Sequence, residues 1–259
     1  MVVFLHYCFQ KIESSMKEDL SIFEGIVSSR KTTKVMAERD LPDSQKKELI
    51  DRILACAGWA PFHRACDYLH RPEATNASVQ PTGIEPWRFH MVDSENCRRL
   101  RALTSTMEAA GKIPAMLASA SAVAIATWLP NPLQQSQEKK CDPASTNSNC
   151  RFDTSHAEYF EPTVENVEHI AAASAAVQSL LLAATAAGLL SYWSSGGVLR
   201  SPVILDRLAI PLSQRVLGVI FLFPTTLPDS SSVQIVGSKL RVSRGGLNAW
   251  SRWVSISEP

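Results

Sequence analysis

The chain has 259 residues, 45% of them hydrophobic and 20% charged, with a formal net charge of +1. That is a globular balance with ample material for a core, and it sets up no overall field to draw nucleic acid or anionic lipid. Cys8, Cys56, Cys66, Cys97, Cys141 and Cys150 are scattered and form no C-x-x-C pair. This pattern fits reduced thiols in a cytosolic protein and argues against a disulfide frame. No histidine pair has the spacing of a helical zinc site, so no metal is expected.

Residues 1–15 lack the basic start and small-residue cleavage site of a secretion signal, and they are expected to be a disordered leader or an upstream start ahead of Met16. One domain is expected over 16–259. A helix is expected over 16–29, where Leu20, Phe23, Ile26 and Val27 share a face. Behind it stand Arg30, Lys31, Thr32, Thr33 and Lys34. Cations and hydroxyls packed this closely at a helix-to-loop junction suit a phosphate, although a helix C-terminus attracts cations anyway. A second helix starts near Pro42, with Asp43 or Ser44 as its cap and Leu49, Ile50, Ile53, Leu54 and Ala57 on one face.

Polar, irregular chain over 62–83 suggests an insertion. Trp87, Phe89 and Met91 then alternate with Arg88 and His90, which predicts a strand over 85–92. A helix over about 95–109 and a buried strand over 120–127 follow. A second polar excursion covers 129–163. The next helix, 165–188, carries Ile170, Ala173, Val177, Leu180, Leu181 and Ala184 at helical spacing, with Gly188 as its stop. Its uncharged run is long enough for a bilayer. Its Ala, Ser and Thr content and Gln178 favour a soluble core or a subunit interface.

Tyr192 to Gly197 is expected as a tight turn, where the glycines let backbone approach a flat ligand. A short helix over 201–208 and a buried strand over 215–223 come next. Strands separated by helices leave a parallel or a mixed sheet open. Ser194 and Ser195 are not a nucleophile elbow, since Trp193 stands where its first glycine belongs.

Taken together, four pieces resemble the nitroreductase family of flavin-dependent oxidoreductases, over about residues 16–254. They are Arg30-Lys31-Thr32-Thr33-Lys34; Ala60-Pro61-Phe62-His63 followed by Pro86-Trp87-Arg88-Phe89; Gly188 through Gly197; and Lys239-Leu240-Arg241. The resemblance implies an α+β fold, with helices flanking a central, mainly antiparallel sheet. It also implies a homodimer holding FMN at the interface, where the 165–188 helix packs against its mate.

On this resemblance Arg30, Lys31, Thr32 and Lys34 hold the FMN phosphate and the pyrimidine edge, and Lys239 and Arg241 add charge at the phosphate. The backbone N–H groups of Ser195 and Gly196, in the turn with Ser194, face flavin N5 and O4. Pro86 and Trp87 shape the wall beside the ring, and His63 lies near it. Hydride passes from NAD(P)H through N5 to a small acceptor such as a nitroaromatic or a quinone, so no side chain is named as catalytic. A non-catalytic FMN-binding relative is the alternative. The chain departs from the pattern in its long 62–83 link, in Thr32 where serine is usual, and in Phe223 near the end of a strand where glycine is usual.

Overall fold

The computed structural model describes residues 17–42, 45, 47–66, 83–130, 161–227, 233–238, 241 and 243–254. Most of the two polar excursions, the caps proposed at Asp43 and Ser44, the leader and Lys239 lie outside them. In chain order the elements are α1 (17–29), β1 (Thr33–Ala37), α2 (Lys47–Ala57), β2 (Trp87–Asp93), α3 (Ser94–Thr104), α4 (Ile113–Ser119) and β3 (Ala122–Trp128). After them come α5 (Val164–Ala186), β4 (Leu190–Ser194), α6 (Pro202–Arg207), β5 (Arg215–Phe223) and β6 (Val233–Gly237).

Four strands form one antiparallel sheet in the order β2-β3-β5-β4, and β1 pairs with β6 in a separate antiparallel ribbon. Every strand ladder among the described residues is antiparallel, which replaces the parallel or mixed alternative; α5 carries the chain across, so that β5 enters between β3 and β4 and runs antiparallel to both. The sheet separates two apolar layers, and strand alternation assigns each side chain to one of them. On one face Val123, Ile125, Val219 and Phe221 pack with α3, α4 and α6. On the other, Ala122, Ala124 and Ala126 meet Ala172, Ala173, Ala176 and Val177 of α5, with α2 alongside. Small residues on both partners let α5 lie close on β3.

α5 stops as its sequence predicts. Gly188 has φ +79, its N–H donates to the Thr185 carbonyl, and the Leu189 N–H donates to the Ala184 carbonyl, both at 2.9 Å. This is a Schellman cap, which needs a residue that tolerates positive φ. Among the described residues α5 alone is long and apolar enough to cross a bilayer. Its inner stripe is covered by the sheet, while Val164, Val167 and Gln178 face outward.

Several expectations need correction. The helix expected over 95–109 ends at Thr104, and after a turn at Gly111 (φ +53) the chain makes a further helix, α4. The turn expected from Tyr192 begins three residues later, at Ser195, because Leu190 to Ser194 extend the sheet as edge strand β4. β1 and β6 were not expected at all. Each is short and depends on the other for its ladder.

β5 carries one residue with no room to spare. A Cβ on Gly218 would lie 2.2 Å from Trp193 Nε1 and 2.9 Å from the Ser194 carbonyl. The glycine lets the Trp193 indole lie across the strand. Gly218→Ala is expected to cost about 1–3 kcal/mol through overpacking, read as a lower denaturant midpoint at unchanged m-value.

Candidate functional site

The β1–β6 ribbon carries the first basic stretch to the last. Thr33 pairs with Gly237, and the Ser238 N–H donates to the Thr32 carbonyl at 3.1 Å. Arg241 then turns back onto α1. Its guanidinium donates to the carbonyls of Ser28 and Arg30, which α1 leaves open at its C-terminus. Arg30 is half-buried, and three effects lower the pKa of its guanidinium. Burial is the largest, followed by repulsion from Arg244 and then from Arg241. Thus Arg30, Arg241 and Arg244 crowd together, and like charges held this way are stabilised by an anion.

This ribbon also touches the sheet edge. Thr32 forms a parallel bridge with Ser191 of β4, and Lys34 Nζ sits 4.7 Å from the centroid of the Tyr192 ring. Tyr192 in turn stacks on Phe221 at 6.2 Å. The cation–π contact fixes Lys34 over the sheet edge. Lys31 is exposed beside it.

At its far end β4 enters the glycine turn. The Gly196 N–H donates to Ser194 Oγ at 3.1 Å, and Arg200 donates to the Ser195 carbonyl at 3.0 Å. Gly196 has φ +108 and Gly197 has φ +52. A Cβ on Gly196 would meet Arg200 Cγ at 2.7 Å and Val219 Cγ2 at 3.2 Å. The Arg200 stem therefore lies directly under the turn and braces it. Because the bridge is parallel, Arg30 and Ser195 lie on opposite sides of it, roughly 20 Å apart along the strand direction. A ligand touching both is elongated, with an anionic end and a backbone-facing end.

The remaining expected residues lie elsewhere in the chain. Pro86 and Trp87 enter β2, at the opposite edge of the sheet and about 14 Å from β4 across three strand spacings. Both are buried: the Pro86 carbonyl accepts from the Leu129 N–H at 3.0 Å, and Trp87 meets Phe62 edge-to-face at 5.5 Å. His63 is exposed in the loop after α2. Its neighbour Arg64 pairs with Glu165 and Glu168, at 3.7 and 3.3 Å, and ties that loop to the start of α5. One chain thus brings Arg30, Thr32, Lys34, Arg241 and the Ser194–Gly196 turn to one sheet edge, and leaves Pro86 and Trp87 at the other.

Arg244, Arg200 and Tyr192 are parts of this site that the sequence did not single out. The two arginines stand outside any motif. Tyr192 was read only as a turn residue.

A second polar group sits inside the sheet layer. Gln214 Oε1 accepts from Thr127 Oγ1 at 2.6 Å and from His90 Nε2 at 2.8 Å. Burial pushes the His90 imidazole below its ordinary 6.5; the Gln214 bond opposes this, and nearby Arg88 adds to it. The folded chain therefore binds this proton less readily than the unfolded one. The resulting stability is full above about pH 6.5 and is lost as pH falls from there toward the lower folded value. Unfolding midpoints measured between pH 7.5 and 5 are expected to drop on acidification. The drop should be shallower in His90→Gln.

The sequence model of the Nitroreductase family matches residues 41–222. Arg30 to Lys34 and Lys239 to Arg241 lie outside that span. Among solved structures, the chain is similar to a nitroreductase-like family protein from Bacillus cereus, at 20% identity, covering 87% of this chain and 95% of that one, with a TM-score of 0.49. An FMN complex of a nitroreductase candidate from Desulfovibrio desulfuricans is 17% identical, covering 91% and 98%, with a TM-score of 0.49. A nitroreductase with bound FMN from Bacteroides fragilis is 15% identical, covering 81% and 93%, with a TM-score of 0.42. No curated protein matches the chain. With more than half its length matched and an α+β fold built on antiparallel sheets, the chain belongs to the nitroreductase family.

Proposed function

We propose that the chain is an FMN-dependent oxidoreductase, working as a homodimer, that takes hydride from NAD(P)H and delivers it to a small acceptor such as a nitroaromatic or quinone. The observation that carries this reading is the joining of three crowded guanidiniums to a glycine turn by the Thr32–Ser191 bridge. FMN has the matching shape: a dianionic phosphate at one end and a flat, hydrogen-bonding ring at the other. Arg30, Arg241 and Arg244 neutralise the phosphate, with Lys239 as a further candidate there. Thr32, Lys31 and Lys34 line the path from that end to β4. The Ser194–Gly196 turn presents backbone to the ring, and Arg200 keeps that backbone in place. Bound FMN supplies a ring that accepts hydride at N5 and gives it up again.

Fixed donors placed before reaction cost no reorganisation when charge develops, which is what the braced turn contributes. Pro86 and Trp87 lie on the opposite edge of the sheet from the turn and His63 lies in the loop after α2, and we assign any role they have at the ring to the partner subunit. Anaerobic mixing of the flavin-loaded protein with NADH and with NADPH tests the reading. Loss of flavin absorbance with at least one donor, and its return on adding a quinone, is expected.

A non-catalytic flavin binder is favoured by one observation: the Gly196 N–H is already satisfied by Ser194 Oγ. Bound FMN that neither donor bleaches selects that alternative.

A further inference from the structure

The Thr32–Ser191 bridge sets the start of β1 beside β4, and the next residue along β4 is Tyr192. Tyr192 lies directly opposite Phe221 of β5, and their rings stack at 6.2 Å with 27° between the planes. Phe221 stacks in turn on Phe223, at 6.0 Å and 11°. Both phenylalanines are fully buried, so the half-buried Tyr192 ring is the outer end of a stack rooted in the core. Aromatic pairs across a ladder hold one another's orientation. Lys34 Nζ sits over the Tyr192 ring, 4.7 Å from its centroid.

A carboxylate in the place of this ring would neutralise the ammonium and take up its N–H donors. An aromatic face attracts the cation through its quadrupole and leaves those donors for another acceptor. Among the described residues no carboxylate pairs with Lys34. A lysine stem is long and flexible, so an unheld ammonium has to be recruited when a negative charge develops; a held one is already in place. Along β4 the pair lies between the bridge and the Ser194–Gly196 turn, beside the path from the crowded guanidiniums to the ring-facing backbone.

We propose that Tyr192 is a positioning residue, which holds the Lys34 ammonium beside the flavin ring and thereby raises the reduction potential of bound FMN. The proposal rests on the flavin reading above and deepens it. Hydride brings two electrons and one proton to the ring, which therefore gains one negative charge. A cation fixed beforehand favours that state over the oxidised one. Tyr192 itself exchanges neither electrons nor protons in this role.

The test begins with reductive 13C-methylation of the lysines in the full-length protein, followed by NMR. The Lys34 signal, assigned by its loss in Lys34→Arg, should be displaced by the ring current of Tyr192. The displacement should persist in Tyr192→Phe and vanish in Tyr192→Leu. Spectroelectrochemical titration of the flavin-loaded protein then reads the potential. Tyr192→Leu should weaken binding of reduced FMN about tenfold more than binding of oxidised FMN, a fall of about 30 mV in the midpoint for two electrons. Tyr192→Phe, which keeps the ring face, should keep the wild-type midpoint. A merely loosened sheet edge would weaken both states alike and leave the midpoint where it was. In a Lys34→Met background, Tyr192→Leu should have no further effect, since the two residues act as one unit. A wild-type midpoint in Tyr192→Leu, an equal fall in Tyr192→Phe, a full further fall on top of Lys34→Met, or a Lys34 signal that the ring does not displace would each overturn the role of Tyr192 and leave flavin binding standing. A protein that shows the displacement and never takes up FMN sinks the flavin reading, and the role with it.

Discussion

Gly196→Val will leave the sheet folded and remove most of the flavin affinity. At φ +108 the position lies in a region that side chains with a Cβ avoid, and holding valine there costs about 1–3 kcal/mol. Space is also missing, with Arg200 Cγ 2.7 Å and Val219 Cγ2 3.2 Å from the new Cβ. Relief comes in two ways. The turn can adopt another φ, which breaks the Gly196–Ser194 bond and redirects the backbone; or Arg200 can swing away and release the Ser195 carbonyl. Both damage the surface offered to the ring. FMN titration by fluorescence quenching should show the dissociation constant rising about 10- to 100-fold, at 1.4 kcal/mol per factor of ten. Since Ser194 ends the strand and Gly196 lies beyond it, circular dichroism should stay unchanged. Unaltered flavin affinity in Gly196→Val would remove the turn from the site.

Removing one of the crowded guanidiniums should move stability and affinity in opposite directions. Arg244→Ala relieves the repulsion that, after burial, weakens protonation of Arg30, so the apoprotein should melt no lower than wild type. It also takes one cation from the phosphate end. A hydrogen bond between charged groups contributes about 1.5–3 kcal/mol, so FMN binding should weaken roughly 10- to 100-fold. Arg30→Ala should behave similarly. Arg241→Ala is a less clean test, because it also frees the α1 carbonyls at Ser28 and Arg30. Wild-type affinity should fall with added salt, and that dependence should flatten in each variant. A variant that melts lower and binds FMN normally would make the cluster a structural feature rather than an anion site.

Much of the fold was legible where a local signal agrees with the tertiary outcome. α5 is the clearest case: its apolar spacing and its stop at Gly188 both appear in the sequence and both hold in the structure. β2, β3 and β5 announced themselves by alternation or by unbroken apolar runs. β1 was hidden because its first residues look like a cation cluster. It is a strand because β6 pairs with it, and that pairing spans most of the chain. β4 was read as a turn because two glycines follow it closely, and five residues on a sheet edge give little periodicity. α4 is short and follows Gly111, which signals a stop rather than a start.

The site was legible in part for the same reason. The Arg30–Lys34 stretch and the Ser194–Gly197 turn are contiguous motifs, so the sequence offers them as units. Arg244 and Arg200 act through neighbours the sequence does not reveal, one beside Arg30 and the other beneath Gly196. Gly218 carried an available signal. A lone glycine inside an apolar strand marks a close approach, and here it makes room for Trp193. Pro86 and Trp87 show the converse: a contiguous motif whose residues pack into the core on the far sheet edge.

Titration of the purified protein with FMN tests the central claim most directly. One FMN per chain is expected, with a yellow spectrum that survives desalting at low salt and an affinity that drops in Arg30→Ala and Gly196→Val. A protein that remains colourless in excess FMN, or binds it equally well in both variants, would contradict the proposed site.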